Sequence, residues 1–218
     1  MIEKEKMIKT IILDLGGVYF TRGTTLAIEK LKDMYNLKDR ELNLFFEDIA
    51  GSEGNLIRLG LITMDQFEEK FYSMIKVEEK NKQKIRYIWF NSYVPHYGMK
   101  QIIKQLKEKS IKLIIFSGNI RERIEFLENR YNFLKYFDKA IFSFDYRKNK
   151  NDIEFYEELL KHIECKPEEA LFIDDQKKNV KIAKTLGLKG LYFYFPEQLI
   201  EYLKQFGINI ELKVDYIH

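Results

Sequence analysis

"MIKTIILDLGGVYF", residues 7–20, is an apolar ramp that ends on Asp14 and at once meets two glycines, Gly16 and Gly17. Continuous apolar runs of this length are buried on both faces of a sheet, as in parallel sheets. Two more runs share the format, "IKLIIFS" (111–117) and "ALFIDD" (170–175), each closing on a polar side chain. "KAIFSF" (139–144) and "GLYFYF" (190–195) read as two further strands. Between them lie helical patterns: "MKQIIKQLKEKS", "IRERIEFLENRYNFL", "DIEFYEELLKHI" and "KKNVKIAKTLG". Alternation of strand and helix predicts an α/β fold, a doubly wound parallel sheet of Rossmann-like type. Ligands of such sheets bind outside the carboxyl ends of the strands, where Asp14, Ser117 and Asp174 would gather.

Residues 21–94 interrupt the pattern. "TTLAIEKLKDMYNL", "DRELNLFFEDIA" and "ITMDQFEEKFYSMI" are charged and helix-periodic, with no convincing strand. They predict a small helical cap inserted into a core made of residues 1–20 and 95–218. Thr63 and Gln66 in "TMDQF" read as a capping box, while "GSEGN" and "VPHYG" mark turns. The tail from Pro196 predicts a short amphipathic helix to about Phe206, then "INIELKV" (208–214), an extended stretch suited to an edge strand or a partner.

With 218 residues, 45% hydrophobic and 15% aromatic, and only 3 Pro and 11 Gly, the chain can fold throughout. Lys and Arg total 37 against 34 acidic residues, with the signs interleaved, so no basic stripe points to nucleic acid. "NRYNFLKYF" (129–137) has aromatics, but at helical spacing that suits a core. One cysteine, Cys165, forms no internal disulfide, and "MIEKEKMIKT" lacks the apolar stretch of a leader or membrane span. A cytoplasmic protein with no membrane partner is the expectation; oligomeric state is not legible.

Asp14, Asp174 and Asp175 brought together must have their charges answered, since two unit charges at ~4 Å repel by about 4 kcal/mol at an effective dielectric near 20. Oxygen-only ligands without His or Cys suit Mg²⁺, which works beside phosphate, and argue against zinc. A carboxylate at a strand end is also a rigidly aimed nucleophile. Taken singly, Asp14 reads equally as a turn carboxylate, and Gly16 and Gly17 as a tight turn.

Together these segments resemble the haloacid dehalogenase-like (HAD) hydrolases, which include many Mg²⁺-dependent phosphatases, in the subgroup with a small helical cap. In "ILDLGGV", Asp14 matches the family nucleophile, and in "IIFSGN", Ser117 matches the hydroxyl that binds the transferring phosphoryl group. A lysine precedes "DIEFYEELL", and "LFIDDQKKNVKIAKTLG" carries the acidic motif. "LGLITMDQFEEKF" and "KPEEALFIDD" resemble the connecting segments. The resemblance implies that Asp14, the Gly16 carbonyl and Asp174 bind Mg²⁺, with Asp175 and Asn179 supporting them, although Asn179 also reads as a helix cap. Gly17, Gly118 and Asn119 would offer backbone to phosphate, and a strand-to-helix turn accounts for Gly118 and Asn119 equally well. "RKNKND" contains Lys148 and Lys150 but not the family's proline; aligning the helix selects Lys150, with Asn151 or Asp152 as its cap.

One departure stands out. The family's general acid, two residues after the nucleophile, is Gly16 here, and a second acidic position seven residues after it is Thr21. A positioned acid contributes about 10² to 10⁴ in rate, so acidic leaving groups such as sugar 1-phosphates, aryl or acyl phosphates are favoured. Glu29, Asp48 and Glu53 are acidic residues of the insert, and Arg22, Arg58, Trp89 and Tyr93 could face a substrate; surface solvation accounts for the acids as well. The expected function is Mg²⁺-dependent hydrolysis of a small phosphorylated metabolite through an aspartyl-phosphate. The alternatives are a catalytically silent metabolite- or protein-binding module and a metal-free 2-haloacid dehalogenase.

Overall fold

A computed structural model describes residues 7–75 and 77–213. Val214 of the tail and the first six residues, used above to argue against a leader, lie outside them. Five strands form one parallel sheet in the order β3-β2-β1-β4-β5: β1 (Thr10–Leu13), β2 (Lys112–Ser117), β3 (Lys139–Phe142), β4 (Ala170–Asp174) and β5 (Lys189–Tyr192). β1 is wholly buried and lies opposite both β2 and β4, with Thr10 beside Lys112 on one side and Ala170 on the other. Its side chains alternate between two apolar layers. Ile11 and Leu13 join Leu113, Ile115, Leu171 and Ile173, whereas Ile12 joins Ile114, Phe116 and Phe172 on the opposite face. This two-sided burial is why the run reads as continuously apolar.

Helices α1 (Gly23–Tyr35), α2 (Asp39–Phe46), α3 (Glu53–Arg58), α4 (Met64–Ile75) and α5 (Glu79–Asn91) follow β1, and α6 (Met99–Glu108) returns the chain to β2. Among the described residues 21–94 contain no strand. The two ends of this stretch lie side by side: Phe20 bridges Pro95, and the Thr21 N–H donates to the Val94 carbonyl at 2.8 Å. Phe45, Phe46, Phe67, Phe71 and Trp89 pack ring against ring inside it, the Phe46 and Trp89 centroids 4.6 Å apart. The expected capping box forms, with the Thr63 N–H donating to Gln66 Oε1 at 2.9 Å and the Gln66 N–H to Thr63 Oγ1 at 3.2 Å.

Beyond β2 come α7 (Arg121–Tyr131), the short α8 (Ser143–Tyr146), α9 (Ile153–Leu160), α10 (Lys177–Thr185) and α11 (Pro196–Lys204). Ser143 and Phe144, expected in a strand, open α8 instead, and β5 ends at Tyr192 rather than Phe195. The tail is a further correction. Residues 208–213 run extended but join no sheet; their backbone pairs with two glutamines one turn apart on α6. Gln105 donates to the Glu211 carbonyl at 2.7 Å and accepts its N–H at 3.1 Å, and Gln101 does the same for Lys213 at 3.0 and 2.9 Å. Ile208 and Ile210 are buried beneath. No described helix is long and apolar enough to cross a membrane.

Candidate active site

From β1 the chain builds outward to β2 and β3, then crosses to β4 on β1's other side. The order reverses at β1, so the carboxyl ends of β1, β2 and β4 open a crevice between diverging connections. Asp14 follows β1, Ser117 ends β2 and Asp174 ends β4, so three separate runs deliver their polar last residues to one place. A cavity of about 660 Å³ lies there, lined by Asp14, Gly16, Ser117, Gly118, Asn119 and Lys150, and by residues of the helical insert.

Lys150, not Lys148, enters this place. Its ammonium lies 2.7 Å from Asp174 Oδ2 and 3.0 Å from Asp14 Oδ1, whereas Lys148 pairs with Glu158 at 3.0 Å. Burial works against the Lys150 charge, but the Asp14 and Asp174 carboxylates outweigh it and hold its pKa above the ordinary value. Tyr156 donates to the Lys150 carbonyl at 3.2 Å and so anchors its backbone. Asp152 occupies the expected cap position of α9, but its side chain makes no capping bond. Asp152 accepts from the Asn149 N–H at 3.0 Å, and the Asn151 N–H donates to Asn149 Oδ1, so these side chains hold the loop instead of opening α9.

Asp174 is fully buried behind the cavity wall, and burial pushes its carboxyl up to about 6 against the pull of Lys150. Its Oδ1 accepts from the Gln176 N–H at 2.8 Å and from Asn179 Nδ2 at 3.0 Å. Asn179 sits inside α10 and supports Asp174; the cap position belongs to Gln176. Asn179 Oδ1 is buried without a hydrogen-bond partner among the described residues. Asp175 turns toward Arg22, whose Nε donates at 2.6 Å; burial first, then the Asp14 charge, raise the Asp175 pKa, and Arg22 pulls it back.

Ligand oxygens of Asp14, Asp174 and Asp175 lie within 4.8 Å of one another. Three carboxylates with no imidazole or thiolate form a hard donor set that fits Mg²⁺ in chemistry and span. Gly17 departs from the expectation that it binds phosphate: it does not line the cavity, and its N–H donates to the Phe20 carbonyl at 2.7 Å. Its φ is +81°, and a Cβ there would stand 2.1 Å from Asp175 Oδ2. The Asn119 N–H is likewise taken, by Ser143 Oγ at 3.0 Å, while Asn119 Nδ2 reaches Ser117 Oγ at 3.3 Å. Gly118 faces open space where a Cβ would be.

Of the acids of the insert, Glu47 and Asp48 line the cavity, and Asp48 accepts from Asn55 Nδ2 at 2.8 Å; Glu29 and Glu53 do not line it and pair with Lys32 and Lys70. Arg22, Arg58 and Tyr93 line it, whereas Trp89 stands behind. Thr24 Oγ1 accepts from Trp89 Nε1 at 3.1 Å and Arg123 at 3.4 Å and contacts the Tyr93 hydroxyl at 2.6 Å. With two donors already directed at Thr24 Oγ1, lone-pair counting assigns the hydrogen of this contact to Thr24 and leaves the phenolic hydrogen of Tyr93 outside it. Gly16 lies against the same ring, a Cβ there being 3.5 Å from Tyr93 Cε1. Sequence reasoning missed Arg123 and Thr24. The signal for Arg123 was its place with Ile124 and Leu127 on the apolar face of α7, just after the buried Ile120.

Residues 27–192 match the haloacid dehalogenase-like hydrolase family, a span that begins beyond Asp14. A phosphorylated carbohydrates phosphatase of Thermotoga maritima is 31% identical over 184 residues, 84% of this chain and 80% of that protein. A flavin mononucleotide hydrolase of Arabidopsis thaliana is 30% identical over 115 residues, 53% of this chain and 46% of that one. In structure, the magnesium complex of a HAD family enzyme from Bacteroides thetaiotaomicron matches with a TM-score of 0.74 at 21% identity, over 91% of this chain and all of that one. That likeness is one of fold. A family match across most of the chain, carried on a sheet of this strand order, makes the protein a member of the haloacid dehalogenase-like hydrolases.

Proposed function

We propose that this hydrolase is a Mg²⁺-dependent phosphatase of a small phosphorylated metabolite, of sugar phosphate type, working through an aspartyl-phosphate on Asp14. The observation that carries this reading is the buried Lys150 ammonium between Asp14 and Asp174, with the third carboxylate, Asp175, within 4.8 Å, at the head of a cavity. The 31% identical carbohydrate phosphatase supports the same class. Asp14, the Gly16 carbonyl and Asp174 would hold the Mg²⁺, which supplies Lewis-acid neutralisation of phosphoryl charge. The helical insert over residues 21–94 acts as the cap that holds the rest of the substrate.

The Asp14 carboxylate attacks phosphorus, and the bond to the leaving oxygen breaks. Lys150 and the Ser117 hydroxyl hold phosphoryl oxygens, offsetting the charge that develops. Water then attacks the phosphorus of the acyl phosphate, the phosphorus–oxygen bond to Asp14 breaks to return its carboxylate, and the proton of the water goes to the group that protonated the leaving oxygen or, where none did, to the product phosphate and solvent. Leaving groups that are already acidic depart unaided, since Gly16 offers no carboxyl. For poorer ones, the free hydroxyl hydrogen of Tyr93, beside Gly16, is the donor to the leaving oxygen.

Phosphate release from a metabolite panel, with and without Mg²⁺ and beside Asp14→Asn, tests this. Mg²⁺-dependent release lost in Asp14→Asn is expected. A well-folded protein that releases no phosphate overturns it: chloride release from 2-haloacids indifferent to chelator would mark a dehalogenase. Tight metabolite binding without turnover would mark a silent module.

A further inference from the structure

Arg58 and Arg123 reach the cavity of Asp14 from different parts of the chain, Arg58 from the end of α3 in the insert and Arg123 from the first turn of α7. Both are almost completely buried, at 6% and 1% exposure. Lys150 and Arg22 have carboxylate partners in this cavity, but the described partners of Arg58 and Arg123 are all uncharged. Arg58 donates to the Gly54 and Phe46 carbonyls, and Arg123 donates to Asn119 Oδ1 at 2.8 Å and Thr24 Oγ1 at 3.4 Å. A guanidinium carries five N–H donors, so these bonds fix orientation and leave others for a ligand. The Arg123 plane is further held by the rings of Tyr93 and Trp89, at 4.5 and 5.4 Å.

A buried charge without a counter-ion is costly, and two of like sign in one cavity more so. Burial, with the Arg58 charge adding to it, pushes the Arg123 pKa down to about 10, so the guanidinium remains a cation at neutral pH. Asp14 supports the Arg123 charge only through space, and its ion pair is with Lys150. The pair is also tied to the reacting end. Ser143 Oγ donates to the Arg58 carbonyl at 2.6 Å and accepts from Asn119, which in turn holds both Arg123 and Ser117.

We propose that Arg58 and Arg123 form a second anion subsite, selecting phosphomonoesters that carry a carboxylate or a second phosphate at the end remote from the reacting phosphoryl group. This rests on the phosphatase reading and names its substrate class. The test compares kcat/KM within two matched pairs, glycerol 3-phosphate against 3-phosphoglycerate and a hexose 6-phosphate against a hexose 1,6-bisphosphate; the first pair probes a carboxylate and the second a phosphate. The anionic member of at least one pair is expected to be preferred by about 10-fold or more, mainly through KM. Arg123→Gln should bring that ratio close to one, and Arg123→Lys should restore part of it. If Arg123→Gln does not fold, Arg58→Gln carries the same ratio measurement. Equal kcat/KM within both pairs, or a preference surviving both glutamine variants, overturns the subsite. Should none of the four esters be cleaved, calorimetric titration of all four into Asp14→Asn separates the two ideas. Tighter binding of the anionic members, lost with Arg123→Gln, upholds the subsite independently of the phosphatase reading, which the metabolite panel decides; equal binding overturns the subsite.

Discussion

Lys150 has two carboxylates within 3.0 Å and almost no solvent, so Lys150→Met would leave Asp14 and Asp174 facing each other uncompensated. A loss of about 3–5 kcal/mol in stability is expected without divalent cation, read by denaturant unfolding, with Mg²⁺ restoring part of it and turnover reduced at least ~10²-fold. Unchanged unfolding in chelator would mean that the ammonium is not the counter-charge. Gly17→Ala combines a left-handed backbone with a Cβ pushed into Asp175, and should cost about 2 kcal/mol or more. The same denaturant curves check it. Tyr93→Phe keeps the ring but removes the free hydroxyl hydrogen; hydrolysis of a hexose phosphate should slow about 10-fold more than that of p-nitrophenyl phosphate. Equal slowing would assign Tyr93 to packing alone. At this scale the sequence was informative where chemistry and backbone coincide. Asp14, Ser117 and Asp174 were legible because each ends an apolar run; between Lys148 and Lys150 only the resemblance of the following helix to the family chose, and the fold settled it. Gly17 misled, because a glycine beside a catalytic strand reads equally as a phosphate cradle or as clearance for a neighbour's carboxylate.

The elements of the sheet were legible because burial on both faces leaves an unmistakable apolar run; the structure then divides Ile11 and Ile12 between two layers. Strand ends were less so: Ser143 and Phe144 continue the β-like composition of β3 but turn into α8, where Ser143 is needed by Asn119 and the Arg58 carbonyl. The tail shows the limit of pattern reading. "INIEL" alternates like an edge strand, yet its backbone bonds go to Gln101 and Gln105, whose spacing of four places two amides on one helix face at a strand's repeat. Gln105→Ala removes two of these bonds, worth about 1–2 kcal/mol locally. Faster limited proteolysis within residues 208–213, located by mass spectrometry, is the expected result. Protection equal to wild type would show that Ile208 and Ile210 alone dock the tail.

For the whole molecule, an ion that binds only the folded arrangement of three distant carboxylates must raise thermal stability. Saturating Mg²⁺ at roughly 100 times its dissociation constant adds about 2.7 kcal/mol, or about 5–10 °C for a chain of this size. The rise should disappear in Asp174→Asn; a melting temperature indifferent to Mg²⁺ in the wild type would remove magnesium from the proposed chemistry. The gathering of polar strand ends at one crevice follows from general rules of parallel sheets, and the amino-acid sequence alone determined it: apolar runs, each finished by a polar residue, have only the carboxyl edge of a sheet at which to present those ends, whereas the strand order around β1 came with the tertiary structure. The sequence also determined that no acid follows Asp14 at Gly16. Which lysine meets the carboxylates, what fills the gap at Gly16, and which arginines remain without a counter-ion were decided only by the tertiary structure. Those facts depend on contacts between residues far apart in the chain, such as Tyr93 with Gly16 and Arg58 with Ser143, and local patterning carries no record of distance across the fold.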